Sequence, residues 1–369
     1  MGTLTRAARL VSSDAVAQTV TSQQTVLDDL SARLPKGYRA RAFDDADREP
    51  IVAAGNSETS PMEHESAEEW RHWERMIDDP ARLRVSVLGP DAKVAGTGSL
   101  GVGMMARADG AQFVGLTVFN EHRRRGIGNA VLEALEAEVR RRGVPRLLAG
   151  VSAAKPFAVE FAKKRGYTEI GRRILSYREL VSYEPAEWRA SLEKVASQGI
   201  VFRTFTEILT ALDAPGQARF WRDLWEAEGP MWDDIPFAAP IPHWPFEQFT
   251  KMSVNNPQII RDLSLVAYDG DTIVGFTMTG DRQGKDGNTY MTGVARTHRG
   301  KGIAMALKVD VLGRAKAHGL RAMTTVNDEP NKAMRGVNIK LGYQAVPDHI
   351  ELEKNIAPPS ELDSLRRRE

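Results

Sequence analysis

The chain contains no cysteine in 369 residues. It can therefore form no disulfide, no thiolate-ligated metal site and no acyl intermediate on cysteine. No stretch reaches the roughly 18 apolar residues that a membrane-spanning helix needs, and a net charge of +1 gives no overall attraction for nucleic acid or an anionic membrane. We expect no metal, no nucleic acid and no membrane partner. Because Met1–Pro35 lacks the long apolar core of a secretory signal, the expected location is cytoplasmic.

The sequence does contain an internal repeat. Residues 116–132 and 292–308 share a valine, a His-Arg pair and a glycine at one spacing, so that Gly126 corresponds to Gly302, 176 positions later (302 − 126 = 176). The same offset relates two later landmarks: Gly143 to Gly319, and Gly166-Tyr167 to Gly342-Tyr343. A match that persists over separate landmarks indicates a tandem duplication, and the chain is long enough for two domains of ordinary size.

Each copy of the repeated stretch has the pattern of a strand, a basic glycine-bearing loop and a helix start. A helix start carries unpaired N–H groups and partial positive charge, and glycine lets the backbone approach an anion closely. Arg299 and Lys301 add charge. Neither copy has the Gly-Lys-Ser/Thr of a Walker loop or the third glycine of a dinucleotide fold. The pattern therefore predicts a phosphate site of another kind, with a bare basic turn as the alternative.

The Arg-x-x-Gly-x-Gly/Ala loop after a strand ending in valine, with a later Leu-Gly-Tyr segment, resembles the GNAT superfamily of acyl-coenzyme A N-acyltransferases. The resemblance covers residues 37–181 and 200–354 and implies two tandem α/β domains, each built on a mixed sheet. We expect a leader at 1–36, a linker at 182–199 and a disordered tail at 355–369. The arrangement, with a catalytic C-terminal half, is similar to that of the mycothiol synthase type of two-domain member.

The resemblance implies that both loops bind the pyrophosphate of an acyl-coenzyme A, with acetyl-CoA as the expected co-substrate. In the second half the implied coenzyme-binding residues are Val294, Arg299, Gly300, Lys301, Gly302, Ile303, Ala304, Asn327 and Asn331. In the first half they are Val118, Arg123, Arg124, Arg125, Gly126, Ile127 and Gly128. The backbone of Val294 and Val118 would bond the pantetheine arm as an added strand would, and neighbouring N–H groups would polarise the thioester carbonyl.

The family's proton-transfer residues are only partly matched. Members often carry a tyrosine four residues before the glycine of the Leu-Gly pair, where it protonates the leaving thiolate. This chain has Asn338 there, and an amide can donate a hydrogen bond but is no acid at neutral pH. A glutamate that some members carry on the central strand is replaced by Asn288, and by Gln112 in the first half. Polar candidates for the base are Tyr290, Asp281, Asp233 and Asp234, with a relay through water as the alternative.

The two halves differ in ways that bear on activity. Lys155 and Ala162 stand in the first half where the second has Asn331 and Asn338. This difference predicts that the first half binds acyl-CoA at most, and that catalysis belongs to the second half.

The second half also has a segment without a counterpart. A helix is predicted over Ala211–Glu228, and residues 229–245 after it are rich in proline and aromatic residues. This segment is predicted to be neither helix nor strand. It either walls a substrate pocket or is a packed connection. A single strand is predicted over Gln344–Glu353.

The sequence as a whole predicts an acyl-CoA-dependent N-acyltransferase, an N-acetyltransferase acting on the primary amine of a small molecule, as a monomer or homodimer. A non-catalytic acyl-CoA-binding scaffold is the alternative. A protein-lysine acetyltransferase would need an acidic acceptor groove, which the sequence does not show.

Overall fold

The computed structural model describes residues 13–77, 79–103, 107, 109–237 and 241–356. These residues form two compact units. The first unit runs to Ile170 and takes in the segment from Ile350 onward, and the second unit spans Gly171–His349. Each unit contains one copy of the repeat.

The helices and strands alternate in both halves. Up to residue 182 they are α1 (Ser13–Arg33), β1 (Arg39–Ala42), α2 (Arg48–Asn56), α3 (Ala67–Met76), β2 (Leu83–Leu88), β3 (Val94–Gly101), β4 (Gln112–Val118), α4 (Ile127–Arg141), β5 (Arg146–Ser152), α5 (Pro156–Lys163) and β6 (Thr168–Glu179). From there on they are α6 (Arg189–Ala196), β7 (Ile200–Thr204), α7 (Phe205–Ala211), α8 (Ala214–Trp232), α9 (Phe246–Phe249), β8 (Leu265–Asp269), β9 (Thr272–Arg282), β10 (Asp286–Val294), α10 (Ile303–Ala317), β11 (Ala322–Asp328), α11 (Lys332–Lys340), β12 (Gln344–Ala345) and β13 (His349–Asn355). The predicted mixed α/β fold is confirmed.

The sheet of the first unit has the strand order β1-β2-β3-β4-β5-β13. Neighbours from β1 to β4 are antiparallel, whereas β4 and β5 run parallel. Helix α4 packs on this sheet with Val131 and Leu135 fully buried. Val26 and Leu30 of α1 are fully buried in the same core. The segment expected to be a separate leader is therefore part of the first unit.

Strand β13 completes the first unit, although it comes last in the described chain. Ile350 and Leu352 are buried in the first core. Glu353 accepts a hydrogen bond from Arg146 at 2.8 Å, and Lys354 Nζ lies 2.6 and 2.7 Å from the two carboxylate oxygens of Glu136. The expected end of the second domain at residue 354 therefore differs from the division in the structure.

The predicted strand Gln344–Glu353 is two strands, β12 and β13, with Pro347 between them. A proline has no N–H to donate to a strand ladder, which favours a break at this point. The expected tail begins inside β13 at Asn355, and Ile356 donates its N–H to the carbonyl of Pro145 at 2.8 Å. The rest of that expected tail, residues 357–369, lies outside the described residues.

The sheet of the second unit has the order β6-β11-β10-β9-β8-β7, with β12 beside β6. Strand β9 is covered on both faces, because successive side chains point to opposite sides. Val274 joins the core under α10, while its neighbour Ile273 packs against the core formed by α7, α8 and α9. Residues 171–179 of β6 belong to this unit, as does the expected linker, since Val195 of α6 is buried in the core with α10.

The helix expected over Ala211–Glu228 is wrong at both ends. Thr204 and Glu207 form a capping box that starts α7 at Phe205, and Asp213 caps α8, so the chain breaks at Leu212. Helix α8 then continues through Pro230 to Trp232.

The segment expected to be neither helix nor strand is thus helical at its start. Proline costs α8 one internal hydrogen bond, and burial of Met231 and Trp232 offsets that cost. A further helix, α9, follows directly after residue 245.

Candidate active site

The glycine loops end at two equivalent helix starts. Gly126 stands before α4 with a φ of +89°, and Gly302 stands before α10 with a φ of +92°. Glycine takes this left-handed conformation without strain. In the described part of the chain, no side chain caps either helix, and a Cβ added at Gly126 would have nothing within 4 Å. At Gly302 an added Cβ would meet Val195 at 3.8 Å, which is ordinary van der Waals contact. Both helix starts therefore leave their first backbone N–H groups without a side-chain cap, as an anion site requires.

Arg123 and Arg299 hold the loops against the preceding strands. The Nε of Arg123 donates to the carbonyl of Val118 at 2.9 Å, and the Nε of Arg299 donates to the carbonyl of Val294 at 3.2 Å. Both valine carbonyls are therefore engaged within the protein. A pantetheine amide would have to use the other backbone groups of these strands.

A carboxylate pairs with each of these arginines. Glu58 lies 2.6 Å from the guanidinium of Arg123, and Asp234 pairs with both Arg296 and Arg299. The guanidinium of Arg296, and after it that of Arg299, holds the pKa of the Asp234 carboxyl well below its usual range. Each loop therefore has a carboxylate of the protein itself paired with its arginine.

Next to each loop, two parallel strands separate from each other before the strand that enters the loop ends. Strands β4 and β5 pair only at Gln112 and Phe113, and β10 and β11 pair only from Asp286 to Thr289. Beyond these points residues 114–118 and 290–294 have no parallel partner, while their other edge stays paired with β3 and β9. Alternate residues of such an edge direct N–H and C=O groups into the gap. Each gap can therefore accept an extended chain that carries amides, as a strand would.

In the first unit this gap opens into a cavity of about 490 Å³. That volume lies in the range of small-molecule sites. The cavity is lined by the loop, the free edge of β4, β5 and α5, with Leu116, Val118, Gly128, Leu132, Val151 and Phe161 among its residues. The cavity lies beside the copy that was expected to bind coenzyme without catalysis.

In the second unit the two asparagines that the resemblance singled out have structural partners. The Oδ1 of Asn331 accepts from the N–H of Met334 at 3.2 Å and so caps α11. Asn338 is only 2% exposed, and its Nδ2 donates to the Oδ1 of Asn327 at 2.6 Å. Asn338 thus joins α11 to β11 and is not presented to solvent, so its predicted contact with a leaving thiolate stays a prediction.

Tyr290 lies where β10 changes register against β9. A bulge falls between Thr289 and Met291, and the ring of Tyr290 lies over Gly280, where a Cβ would collide with it. The hydroxyl of Tyr290 donates to Gln258 at 3.2 Å. Tyr290 therefore has a fixed position at the mouth of the second gap.

The other polar candidates have structural roles. Asp281 accepts from the N–H of Gly284 in a turn, Asp234 is ion-paired, and Asp233 is exposed. Asn288 accepts from Thr324 at 3.0 Å.

The proline-rich segment is fastened to α8 by two indoles. Trp225 Nε1 donates to the carbonyl of Trp244, and Trp232 Nε1 to that of Ile241, each at 2.8 Å. His243 lies between these rings, 3.4 Å from the buried carboxyl of Glu228. Burial raises the pKa of Glu228.

Helix α8 also reaches the second gap. A Cβ on Gly293 of β10 would meet Met231, so the end of α8 packs directly on the free strand. The Glu228–His243 pair was missed by sequence reasoning, because only the fold brings an acidic residue of α8 next to a histidine of the loop.

Lys308 of α10 is a second group that sequence reasoning missed. It is 2% exposed and lies in the face of the helix that packs on the sheet. A signal was present, because its counterpart 176 positions earlier is Leu132 and a charged residue had replaced an apolar one on the buried face.

The described ranges contain no cluster of three or more histidine, aspartate or glutamate side chains arranged to hold a metal ion. Within the same ranges no helix has the length and apolar character to cross a membrane.

The chain belongs to the acetyltransferase (GNAT) family, whose model matches residues 49–167 and 219–343. A GCN5-related N-acetyltransferase from Sphaerobacter thermophilus is 25% identical, with a TM-score of 0.69 over 88% of this chain and 98% of that one. A tandem GNAT protein from the clavulanic acid biosynthesis pathway is 18% identical, with a TM-score of 0.65 over 87% and 99%. Saccharomyces cerevisiae N-myristoyltransferase with bound myristoyl-CoA is 11% identical, with a TM-score of 0.55 over 87% and 83%. No curated protein matches the chain. The tandem GNAT resemblance is confirmed.

Proposed function

We propose that the second unit transfers an acyl group, acetyl in the simplest case, from acyl-CoA to the primary amine of a small molecule. The observation that carries the proposal is the combination of a strand with a free backbone edge and an open helix start at its end. Residues 290–294 provide the edge and Gly302 begins the helix. The free strand edge suits the amides of pantetheine, and the open helix start suits a pyrophosphate.

The reaction balances without a covalent enzyme intermediate. The amine nitrogen attacks the thioester carbon, the C–N bond forms, and the C–S bond breaks as coenzyme A leaves as a thiolate. In this proposal, backbone N–H groups at the bulge of β10 stabilise the oxyanion as it develops. The substrate ammonium first loses a proton through Tyr290 or through water, so that its nitrogen can attack. After the C–N bond forms, the nitrogen loses a second proton by the same route, and the leaving thiolate takes up one proton. Asn338 donates to Asn327 and so acts as a positioning residue, which holds α11 against β11.

The acceptor is expected beside the end of α8 and the proline-rich segment. Trp225, Trp232 and the buried Glu228 supply aromatic faces and a carboxyl, which suit an amine. Since Met231 packs against Gly293, this surface adjoins the thioester position. The protein is expected to work in the cytoplasm as a monomer or homodimer.

A second candidate function applies to the first unit, which would bind acyl-CoA without transferring its acyl group. The cavity beside Gly126 favours binding. Ala162 and Lys155 replace the asparagines of the second copy, and β4 pairs with β3 without a bulge.

The test is single-turnover transfer from radiolabelled acetyl-CoA to a panel of small amines. The proposal predicts that Gly302→Glu, which places a carboxylate at the phosphate site, abolishes transfer, whereas Gly126→Glu leaves it intact. Gly319→Glu is the matched control, since Gly319 also has a left-handed φ of +88° and unfilled space around it. Transfer that survives Gly302→Glu and disappears with Gly126→Glu would move catalysis to the first unit.

A further inference from the structure

The second unit buries an amine without a partner. The Nζ of Lys308 has no hydrogen-bond partner among the described residues, and the group it faces is the ring of Tyr343, with the centroid 4.9 Å away. Burial lowers the pKa of Lys308 to about 7, because an ammonium without a counter-ion is unfavourable inside a protein. A ligand that carries negative charge would stabilise this lysine.

The duplication indicates which part of the first cavity corresponds to the position of Lys308. Three residues that line the cavity of the first unit have counterparts 176 positions later: Leu132 in Lys308, Ala162 in Asn338 and Tyr167 in Tyr343. Two apolar side chains of the first cavity are therefore polar in the second unit. The second unit has kept the tyrosine and changed the chemistry around it.

The second polar replacement is also incompletely paired. The Oδ1 of Asn338 is buried and has no hydrogen-bond partner in the part of the chain that the structure describes. The hydroxyl of Tyr343 is hydrogen-bonded to Thr289, the last residue of β10 that pairs with β11. Lys308 Nζ thus faces a tyrosine that is bonded to the last paired residue of β10, and the backbone carbonyl of Asn338 accepts from the N–H of the same tyrosine at 3.0 Å.

We propose that the second unit takes an acyl group that ends in a carboxylate, as in succinyl- or malonyl-CoA, with Lys308 as its counter-ion at the inner end of the gap. This proposal rests on the proposed function and specifies its acyl donor. The carboxylate belongs to the donor because Lys308 is on α10, whereas the acceptor surface is on α8, on the opposite face of the sheet. The first unit has Leu132 at the position of Lys308. Its cavity therefore offers a carboxylate no counter-ion and suits an uncharged acyl group.

The test measures dissociation constants by calorimetry in the Gly126→Glu protein, in which the first loop is blocked. Succinyl-CoA should bind about 10- to 100-fold more tightly than acetyl-CoA, the range expected of a buried hydrogen bond to a charged group. Adding Lys308→Met should remove this preference and leave acetyl-CoA binding unchanged or tighter. Leu132→Met in the same background should change neither constant. Thermal unfolding verifies that each variant folds.

Equal affinities for the two thioesters, or a preference that persists in Lys308→Met, would overturn the proposal. Free succinate with coenzyme A serves as a further arm. If succinate binds as tightly as succinyl-CoA and depends on Lys308, the carboxylate comes from another molecule and the acyl assignment is wrong. If the Gly126→Glu protein binds no coenzyme at all, the proposed function of the second unit fails first, which is a different result from binding without selectivity.

Discussion

The two units begin α4 and α10 with the same loop, but they surround it differently. The shared features are made by backbone: a left-handed glycine at 126 or 302, a valine carbonyl held by an arginine, and a strand that loses its parallel partner halfway. Apart from the arginine, these features do not depend on which side chains line the pocket. A duplicated domain can therefore keep its binding geometry while the chemistry of the pocket changes.

The differences are made by side chains and by one bulge. Gly300 has a left-handed φ of +76°, while its counterpart Arg124 has a φ of +60° despite its Cβ, a conformation that costs about 1 kcal/mol. Strand β10 has a bulge where β4 is regular. Leu132 is replaced by Lys308. These differences are the basis for our proposal that the first unit binds acyl-CoA while the second unit transfers the acyl group.

The largest expected effect is a loss of stability of the first unit when β13 is removed. A chain that ends at His349 loses Ile350 and Leu352 from the first core and exposes the edge of β5. Loss of two buried aliphatic side chains should lower the free energy of unfolding of the first unit by about 4 kcal/mol or more. Differential scanning calorimetry should show the transition of the first unit moved down. A chain that ends at Ile356 is the control, and identical traces for the two chains would show that β13 is dispensable.

Lys308→Met should stabilise the second unit, by about 2 to 5 kcal/mol at neutral pH, since tenfold in a protonation equilibrium is worth about 1.4 kcal/mol. The folded pKa of Lys308, about 7, lies below the unfolded value of about 10.4. The penalty is therefore fully present below pH 7 and is relieved as the pH rises from 7 towards 10.4. Urea unfolding at pH 6, 7.5 and 9 measures it.

The matched variant is Leu132→Met, which should change stability by less than about 1.5 kcal/mol at every pH. A Lys308→Met protein that is less stable than the parent at pH 6 would mean that the lysine has a partner in the free protein.

Gly280→Ala should slow transfer about tenfold without changing the dissociation constant of acyl-CoA. The new methyl group collides with the ring of Tyr290 and displaces its hydroxyl from Gln258, while the loop at Gly302 is untouched. Rapid-quench kinetics and equilibrium binding separate the two effects. Gly336→Ala, which meets nothing within 4 Å, is the control. An equal loss of coenzyme binding would place Tyr290 in the coenzyme site instead.

The smallest effect concerns the carboxylates beside the loops. Asp234→Asn frees two guanidiniums for phosphate and should tighten coenzyme binding to the second unit about threefold at low salt. The gain should vanish at high salt because the groups are exposed and screened. Glu58→Gln makes the same change in the first unit. Weaker binding in either variant would show that the carboxylate orders the loop more than it competes with phosphate.

Local signals predicted much of the fold. Strands β4 and β10 end at Val118 and Val294, the valines after which the loops were expected, and α4 and α10 start directly after the glycines that marked the repeat. These features depend on neighbouring residues, so sequence periodicity and glycine conformation are enough to find them.

Features that depend on distant residues were not predicted. The assignment of β13 to the first unit depends on Leu352 fitting a core whose nearest member before that strand, Tyr167, lies 185 positions earlier (352 − 167 = 185), and no local signal predicts that. Helix α8 runs through Pro230 because burial of the residues after it outweighs the local preference. In the site, the loops were found, but the burial of Asn338 and the meeting of Glu228 with His243 required the fold.

A calorimetric titration with coenzyme A, whose phosphates are common to every acyl donor, measures directly whether each unit holds its own coenzyme. We expect two sites in the parent chain, one removed by Gly126→Glu and the other by Gly302→Glu. Gly143→Glu and Gly319→Glu, at left-handed glycines away from the loops, should leave both sites. A single site that either loop substitution removes, or no binding at all, would contradict the claim that each unit holds its own coenzyme.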